Sequence, residues 1–213
     1  MATGLSIVKA APGIRETLTP QIPELVHATG PVSYDYHFPK RSVFDRLVEK
    51  SWLADDSLFA AEATHVALAE DTLQGIEIGF SGPQWNARKA ALAPLWQEML
   101  AAQEVSMDEM TVVLEHSAHA SWLNPLVPED VYYVHALSVK PESRGKKIGM
   151  KLLTEAMDRA RDAGFRGLQL DVLSDNPAVN FYQSMGLELL VESRAPKPHT
   201  AGVPPEFRMG IEF

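Results

Sequence analysis

Apolar and polar positions along the chain fall into short blocks whose periods place most of the secondary structure. Leu5–Ala11 is a brief apolar run halted by Pro12-Gly13, which predicts a strand. Ile14–Thr29 keeps a helical period but carries Pro20 and Pro23, so two short helices or one broken helix are expected. In Lys40–Ala54, Val43, Phe44, Leu47, Val48 and Trp52 recur at helical spacing. Ala63–Glu70 and Leu73–Ser81 read as strands joined by a tight turn at Asp71-Thr72. Gly82–Asp130 is too long for a plain connection. Within it Ala87–Gln103 is helical in composition and period, and Met110–Glu115 reads as a short strand or as more helix. The whole segment is expected to be an inserted helical cap.

Val131–Val139 predicts the central strand. Lys146–Ala163 predicts a helix whose apolar stripe is Ile148, Leu152, Leu153, Ala156 and Ala160, stopped by Gly164. Gly167–Leu173 alternates as a strand, and Asn176–Met185 is a short helix. Leu187–Glu192 and Phe207–Phe213 form a closing hairpin, whose proline-rich connection RAPKPHTAGVPPE is expected to be a surface loop. One α/β domain covering 1–213 accommodates all of this.

Composition narrows the function classes. The net charge of −9 and pI near 5.2 argue against sequence-independent nucleic-acid binding. The chain has no cysteine, which excludes disulfides, zinc–thiolate sites and a cysteine nucleophile. No apolar run approaches the ~20 residues of a membrane helix, and the start of the chain lacks the charged and apolar regions of a signal peptide. A cytoplasmic protein without membrane contact is the expectation.

The most informative segment joins the central strand, Arg144-Gly145-Lys146-Lys147-Ile148-Gly149 and the helix that follows. A glycine-bearing strand-to-helix turn aligns free N–H groups with the helix dipole, an arrangement suited to a pyrophosphate. Further on stands Asp175-Asn176-Pro177-Ala178-Val179-Asn180-Phe181-Tyr182-Gln183-Ser184-Met185-Gly186. Together these resemble the GNAT superfamily of N-acyltransferases, over about the last 80 residues well and elsewhere in outline. The family turn is Arg/Gln-x-x-Gly-x-Gly/Ala. Here Lys147 stands where its first glycine is expected, and Leu187 replaces the closing phenylalanine of the second motif.

The resemblance implies a mixed, mostly antiparallel twisted sheet of six or seven strands flanked by helices. It implies acetyl-CoA as co-substrate, bound through Leu137, Ser138, Val139, Arg144, Gly145, Lys146, Lys147, Ile148, Gly149, Met150, Asn176, Ala178, Phe181 and Tyr182. It places Tyr182 near the thioester sulfur, where a phenol can protonate the leaving thiolate. The backbone near Leu137 would polarise the thioester carbonyl.

Regular alternation would put Tyr133, His135, Leu137 and Val139 on one face of their strand. A neutral imidazole there can take a proton from an alkylammonium, directly or through water. His-Ala-Leu-Ser-Val is similar to the arylalkylamine N-acetyltransferase branch, where a histidine in this strand has a general-base role. His135 is accordingly a base or base relay, or else a core residue, and Tyr133 a residue that orients water. His116 and His119 lack a third ligand for a metal, so no metal is expected.

The function so implied is direct acetyl transfer to a small primary amine. The alternatives are a protein or peptide N-acetyltransferase and a non-catalytic acyl-CoA sensor. Trp52, Trp85, Trp96, Trp122, Tyr132 and Tyr133 are the aromatic candidates for an amine pocket. Dimers are common in the family, and a homodimer is allowed for.

Overall fold

The computed structural model describes residues 4–120, 123 and 126–213. Proline punctuates its first helices as the pattern predicts. After strand β1 (Leu5–Lys9), α1 (Pro12–Leu18) opens on a proline, Pro20 sits in a single 3₁₀ turn at Thr19–Gln21, and α2 (Ile22–His27) and α3 (Pro31–His37) carry proline at their starts. Helix α4 (Arg41–Leu53) follows, then strands β2 (Thr64–Ala69) and β3 (Thr72–Ser81). The hairpin turn lies at Glu70-Asp71, one residue before the expected position. Both residues have positive φ (48° and 61°), the demand of a two-residue turn matched to strand twist, which leaves Thr72 to the strand.

The long segment before the central strand holds three helices in its described part. It comprises α5 (Gln84–Ala90), α6 (Leu92–Ala101) and α7 (Met107–His119), with no strand at Met110–Glu115. Ser106 caps α7 in a reciprocal capping box with Glu109. Trp122 lies outside the described residues. Strand β4 (Val131–Val139) leads through a 3₁₀ turn at Pro141–Ser143 into α8 (Ile148–Asp162), then β5 (Gly167–Leu173), α9 (Ala178–Ser184), β6 (Glu188–Ser193), α10 (Pro196–Thr200) and β7 (Glu206–Glu212).

The seven strands form a sheet in the order β1-β2-β3-β4-β5-β7-β6. Every pairing is antiparallel except β4 with β5. That parallel ladder begins at Val131↔Gly167 and ends at Val134↔Leu170, although β4 runs on to Val139 and β5 to Leu173. Beyond Val134 the two strands therefore splay apart.

One face of the sheet is covered by α1, α2 and α4, through Leu18, Ile22, Val26, Phe44, Val48 and Trp52. The other is covered by α8 and α9, through Leu153, Ala156, Met157 and Tyr182. Helix α4 buries a second stripe too: Val43 and Leu47 pack against Leu95, Trp96, Met99 and Val113 of the inserted helices. The insertion thus rests mainly on α4, and α5 carries Trp85 back to the sheet beside Phe80. The connection between β6 and β7 departs from the expected surface loop. It folds into α10 and buries Ala195, Pro198 and Val203, because its apolar residues meet the end of the insertion, with Ala195 in a cluster with Ala120 and Leu123.

Candidate active site

The site forms where β4 and β5 part. Opposite β3, Ile78 pairs with Ala136 and Gly79 with Val134, so His135 is skipped and β4 carries a bulge there. The bulge overturns the expected shared face. Tyr133 and Ala136 lie in the core beneath α1, α2 and α4, whereas Leu137 and Val139 pack with Ile148 and Leu152 of α8. One extra residue in a two-residue period moves everything beyond it to the opposite side.

His135 goes with Tyr133. Its ring sits among Phe59 and Trp85 (both 5.2 Å between centroids), Phe80 (6.0 Å) and Tyr133 (6.3 Å). Its Nε2 is buried without a hydrogen-bond partner among the described residues. Burial lowers the imidazole to about 3, so it is neutral at working pH. The box is braced by Arg88 of α5. Its guanidinium lies 5.1 Å from the Phe80 ring and donates to Glu62 Oε1 (2.7 Å) and the Ser57 carbonyl (3.0 Å).

Tyr133 is no free hydroxyl. Its OH donates to Asp171 Oδ2 at 2.9 Å. Across the β5–β7 ladder, Arg208 faces Asp171 and grips it with Nε on Oδ1 (2.5 Å) and Nη2 on Oδ2 (2.7 Å). Burial and the Asp171 charge push the Tyr133 phenol well up, so it stays protonated. Glu206 stands two residues before Arg208 on the same face, opposite Leu173 at the end of β5. Burial first, then the Asp171 charge, raise its carboxyl to about 8 against the pull of Arg208. Asp171, Glu206 and Arg208 were not anticipated from sequence. The available signal was a charge of each sign inside an apolar strand, Asp171 between Leu170 and Val172 and Arg208 between Phe207 and Met209.

On the α8 side lie the turn and its helix. Gly145 (φ 77°) and Lys147 (φ 62°) are both left-handed, and Lys147 is the residue before the first turn of α8. Position 147 therefore has the backbone that favours glycine, and lysine adopts it at a steric cost of about 1–2 kcal/mol. Arg144, Gly145, Lys146, Lys147 and Met150 are exposed, Gly149 is half-buried and Ile148 is buried. The turn is held from behind by Ser143 Oγ to Gln74 Oε1 (2.5 Å) and Lys140 Nζ to Gln21 Oε1 (2.7 Å). The first N–H groups of α8 have no intrahelical acceptor. A Cβ on Gly149 would lie 3.7 Å from the Phe181 ring, so α9 leans over this first turn.

Asn176 joins both sides. Its Oδ1 accepts from the Ala178 N–H (2.9 Å), opening α9, and its Nδ2 donates to the Thr29 carbonyl (3.2 Å) between α2 and α3. Tyr182 is buried with Val134, Leu153 and Leu170, and burial pushes its phenol up, keeping it protonated. Tyr182 and His135 thus lie on opposite faces of the sheet with the splay between them. Ser138 is buried, and its carbonyl lies so close to Gly75 that a Cβ there would sit 2.6 Å away.

The other aromatic candidates separate cleanly. Trp85 and Tyr133 border His135, whereas Trp52 and Trp96 are core residues and Tyr132 points to the α8 face, donating to buried Glu77 at 3.1 Å. Glu77 also receives Arg159 of α8 (2.5 Å), which fixes that helix to the sheet. His116 stacks on Tyr36 at 4.6 Å, and His119 contacts Lys197 of α10 at 2.7 Å, so both fasten the insertion to its neighbours. Among the described residues no group of acidic or histidine side chains has the arrangement of a metal site, and no helix is long and apolar enough to cross a membrane.

The Acetyltransferase (GNAT) family model matches residues 109–187, the stretch from α7 through α9. An uncharacterised N-acetyltransferase of Methanocaldococcus jannaschii is 32% identical over 69 residues, which span 32% of this chain and 30% of that relative's length. Among solved structures, an N-acetyltransferase from Staphylococcus aureus Mu50 superposes with a TM-score of 0.67 at 20% identity, covering 97% of this chain and 100% of the other. The PaiA N-acetyltransferase of Thermoplasma acidophilum, solved in complex with coenzyme A, gives 0.51 at 15% identity over 99% of both chains. These likenesses extend the fold across the whole molecule, and the sequence match falls on the splayed strand and its turn. Over residues 109–187 the chain is similar to the Acetyltransferase (GNAT) family, and over nearly its whole length it has the fold of these solved N-acetyltransferases.

Proposed function

We propose that this protein transfers an acetyl group from acetyl-CoA to a small primary amine by direct attack. The observation that carries the reading is the splay itself. The β4–β5 ladder stops at Val134↔Leu170, while β4 runs on to Val139 and leads to a left-handed turn that presents the start of α8. The pyrophosphate of acetyl-CoA would lie on the main-chain N–H groups of residues 144–150, with Arg144 and Lys147 adding positive charge. The pantetheine arm would run between β4 and β5 along Leu137–Val139, past Asn176. The thioester would then face Tyr182 on one side and the His135 box on the other.

In this reading Tyr182, kept protonated by burial, donates to the departing thiolate. His135, neutral and with a buried Nε2 that has no partner among the described residues, accepts a hydrogen bond from the incoming nitrogen and orients it. Tyr133 is held by Asp171 and serves to position rather than to take a proton. Phe59, Phe80 and Trp85 supply apolar walls. The absence of cysteine from the chain supports attack without an acyl-enzyme. Helices α5–α7 bound the acceptor side as a cap, and cytoplasmic placement goes with a co-substrate of that compartment.

The test is calorimetry with CoA, followed by acetyl-CoA turnover against a panel of amines. Gly149→Glu should keep the fold, because the site beside Val139 and Phe181 admits a Cβ, and should lose CoA binding by charge and volume. A folded Gly149→Glu protein that binds CoA like the wild type would remove the pyrophosphate assignment.

A further inference from the structure

Phe59, Phe80 and Trp85 wall the His135 box from three separate segments: the stretch after α4, strand β3, and α5 at the start of the insertion. Helix α5 has seven residues and no side-chain cap at its start. A helix so short is marginal by itself, so contacts outside it set its place.

Arg88 makes such contacts and reaches each of the three walls. Trp85 stands three residues before it on the same helix, on a neighbouring face position. The guanidinium lies 5.1 Å from the centre of the Phe80 ring. Its Nη1 donates to the Ser57 carbonyl (3.0 Å), two residues before Phe59, and to Glu62 Oε1 (2.7 Å), three residues after it. Ser57 is in turn locked to α4. Its hydroxyl donates to the Ser51 carbonyl (2.6 Å) and lies 2.7 Å from Ser51 Oγ, the same oxygen that receives the Phe59 N–H (3.0 Å). A planar guanidinium can lie against a ring and still direct N–H groups to acceptors at its edge.

We infer that Arg88 is a positioning residue for acceptor choice: it holds Phe59, Phe80 and Trp85 at the spacing that admits a compact apolar body attached to the reacting amine. This rests on the acetyltransferase reading above. The Arg88–Glu62 pair is sheltered at Arg88 (7% exposed) and more open at Glu62 (32%). A largely desolvated ion pair is a weak stabiliser, which fits a role in geometry. Arg88 acts through the walls and not on the reacting nitrogen. Its loss therefore changes which amine is taken and leaves coenzyme binding at the α8 turn alone. The aromatic walls favour an aryl body and penalise a second ammonium, which would shed water beside them.

The experiment measures kcat and KM for phenethylamine and for putrescine at saturating acetyl-CoA, in wild type, Arg88→Met, Arg88→Lys and Glu62→Gln. Calorimetry with CoA and thermal unfolding accompany each protein. Wild type should prefer phenethylamine by ~10–10²-fold in kcat/KM. Arg88→Met keeps an apolar chain and loses every donor. It should raise the phenethylamine KM by ~10-fold and barely alter putrescine, so the preference collapses while CoA affinity stays. Arg88→Lys, which can keep one bond but not the flat ring contact, should fall between. An unchanged preference in a folded Arg88→Met protein, or an equal loss with both amines, would overturn the role of Arg88. If neither Arg88 variant folds, Glu62→Gln decides, since it weakens the clasp from its open end: a narrowed preference supports the role and an unchanged one overturns it. Wild-type turnover that favours putrescine would overturn the box as an apolar acceptor subsite, and the role of Arg88 with it. CoA binding without turnover of either amine by the wild type would sink the acetyltransferase reading itself, and this inference along with it.

Discussion

The Tyr133 hydroxyl donates to Asp171 Oδ2 at 2.9 Å, on a carboxylate that Arg208 grips through two nitrogens. This bond runs from Tyr133, which still pairs with Gln169, to Asp171, one residue beyond the last β4–β5 pair, and it removes the phenol from acid–base work. Tyr133→Phe should therefore destabilise the fold by about 2 kcal/mol, the scale of a buried hydrogen bond to a charged group. Its effect on kcat should stay below about tenfold, well short of losing an acid or base. Urea unfolding and steady-state rates on the same sample check both; a catalytic collapse with intact stability would return Tyr133 to the chemistry.

Tyr182→Phe should do the reverse. The change removes one hydroxyl from a buried ring and almost no volume. We expect kcat to fall by ~10–10³-fold while acetyl-CoA affinity changes little. An unaltered single-turnover rate would make Tyr182 a packing residue of the α8 face.

Lys147 adopts a left-handed backbone (φ 62°, ψ 17°) that costs a β-carbon-bearing residue about 1–2 kcal/mol. Lys147→Gly relieves that strain but gives the unfolded chain more freedom, so the net gain should be about 0.5–1 kcal/mol. Lys147→Ala should gain nothing, since alanine keeps the β-carbon. Thermal unfolding of the three proteins decides it, and a stabilised alanine variant would mean that lysine charge, not backbone, sets the cost.

Burial lowers His135 from 6.5 to about 3, so between those values the unfolded chain binds a proton that the native protein excludes. Native stability should fall as pH drops through this window and be unaffected by His135 above it. His135→Phe fits the surrounding aromatic box and should flatten that acid slope. Urea midpoints measured across the window test the claim, and parallel slopes for both proteins would refute it.

Much of this architecture is legible in sequence because its elements are locally consistent. Val131–Val139 and Gly167–Leu173 have the predicted bounds, each an apolar run closed by a glycine, a proline or a charged turn. The bulge at His135 left no trace, because a one-residue slip changes no composition and shows only once β3 is laid alongside. The Asp171–Glu206–Arg208 group is invisible for a related reason: it exists only through the β5–β7 pairing, between residues far apart in the chain. The start of α7 could have been found, since Ser106 and Glu109 have the spacing of a capping box. Lys147 stands where the family turn has its first glycine, and its left-handed backbone shows that glycine would fit better there.

The early end of the β4–β5 ladder has a consequence for the protein as a whole. Strands β1 to β4, residues 5–139, form one contiguous sub-sheet, and β5 to β7, residues 167–212, form another. Between them run four ladder positions and the bridging helix α8. The β4–β5 seam is thus also the boundary between two consecutive halves of the chain, so a molecule bound along it is a staple between N- and C-terminal fragments. Fragments cut between β4 and β5 would find in that bound molecule a shared surface, and their reassembly would be driven by its concentration through ordinary mass action.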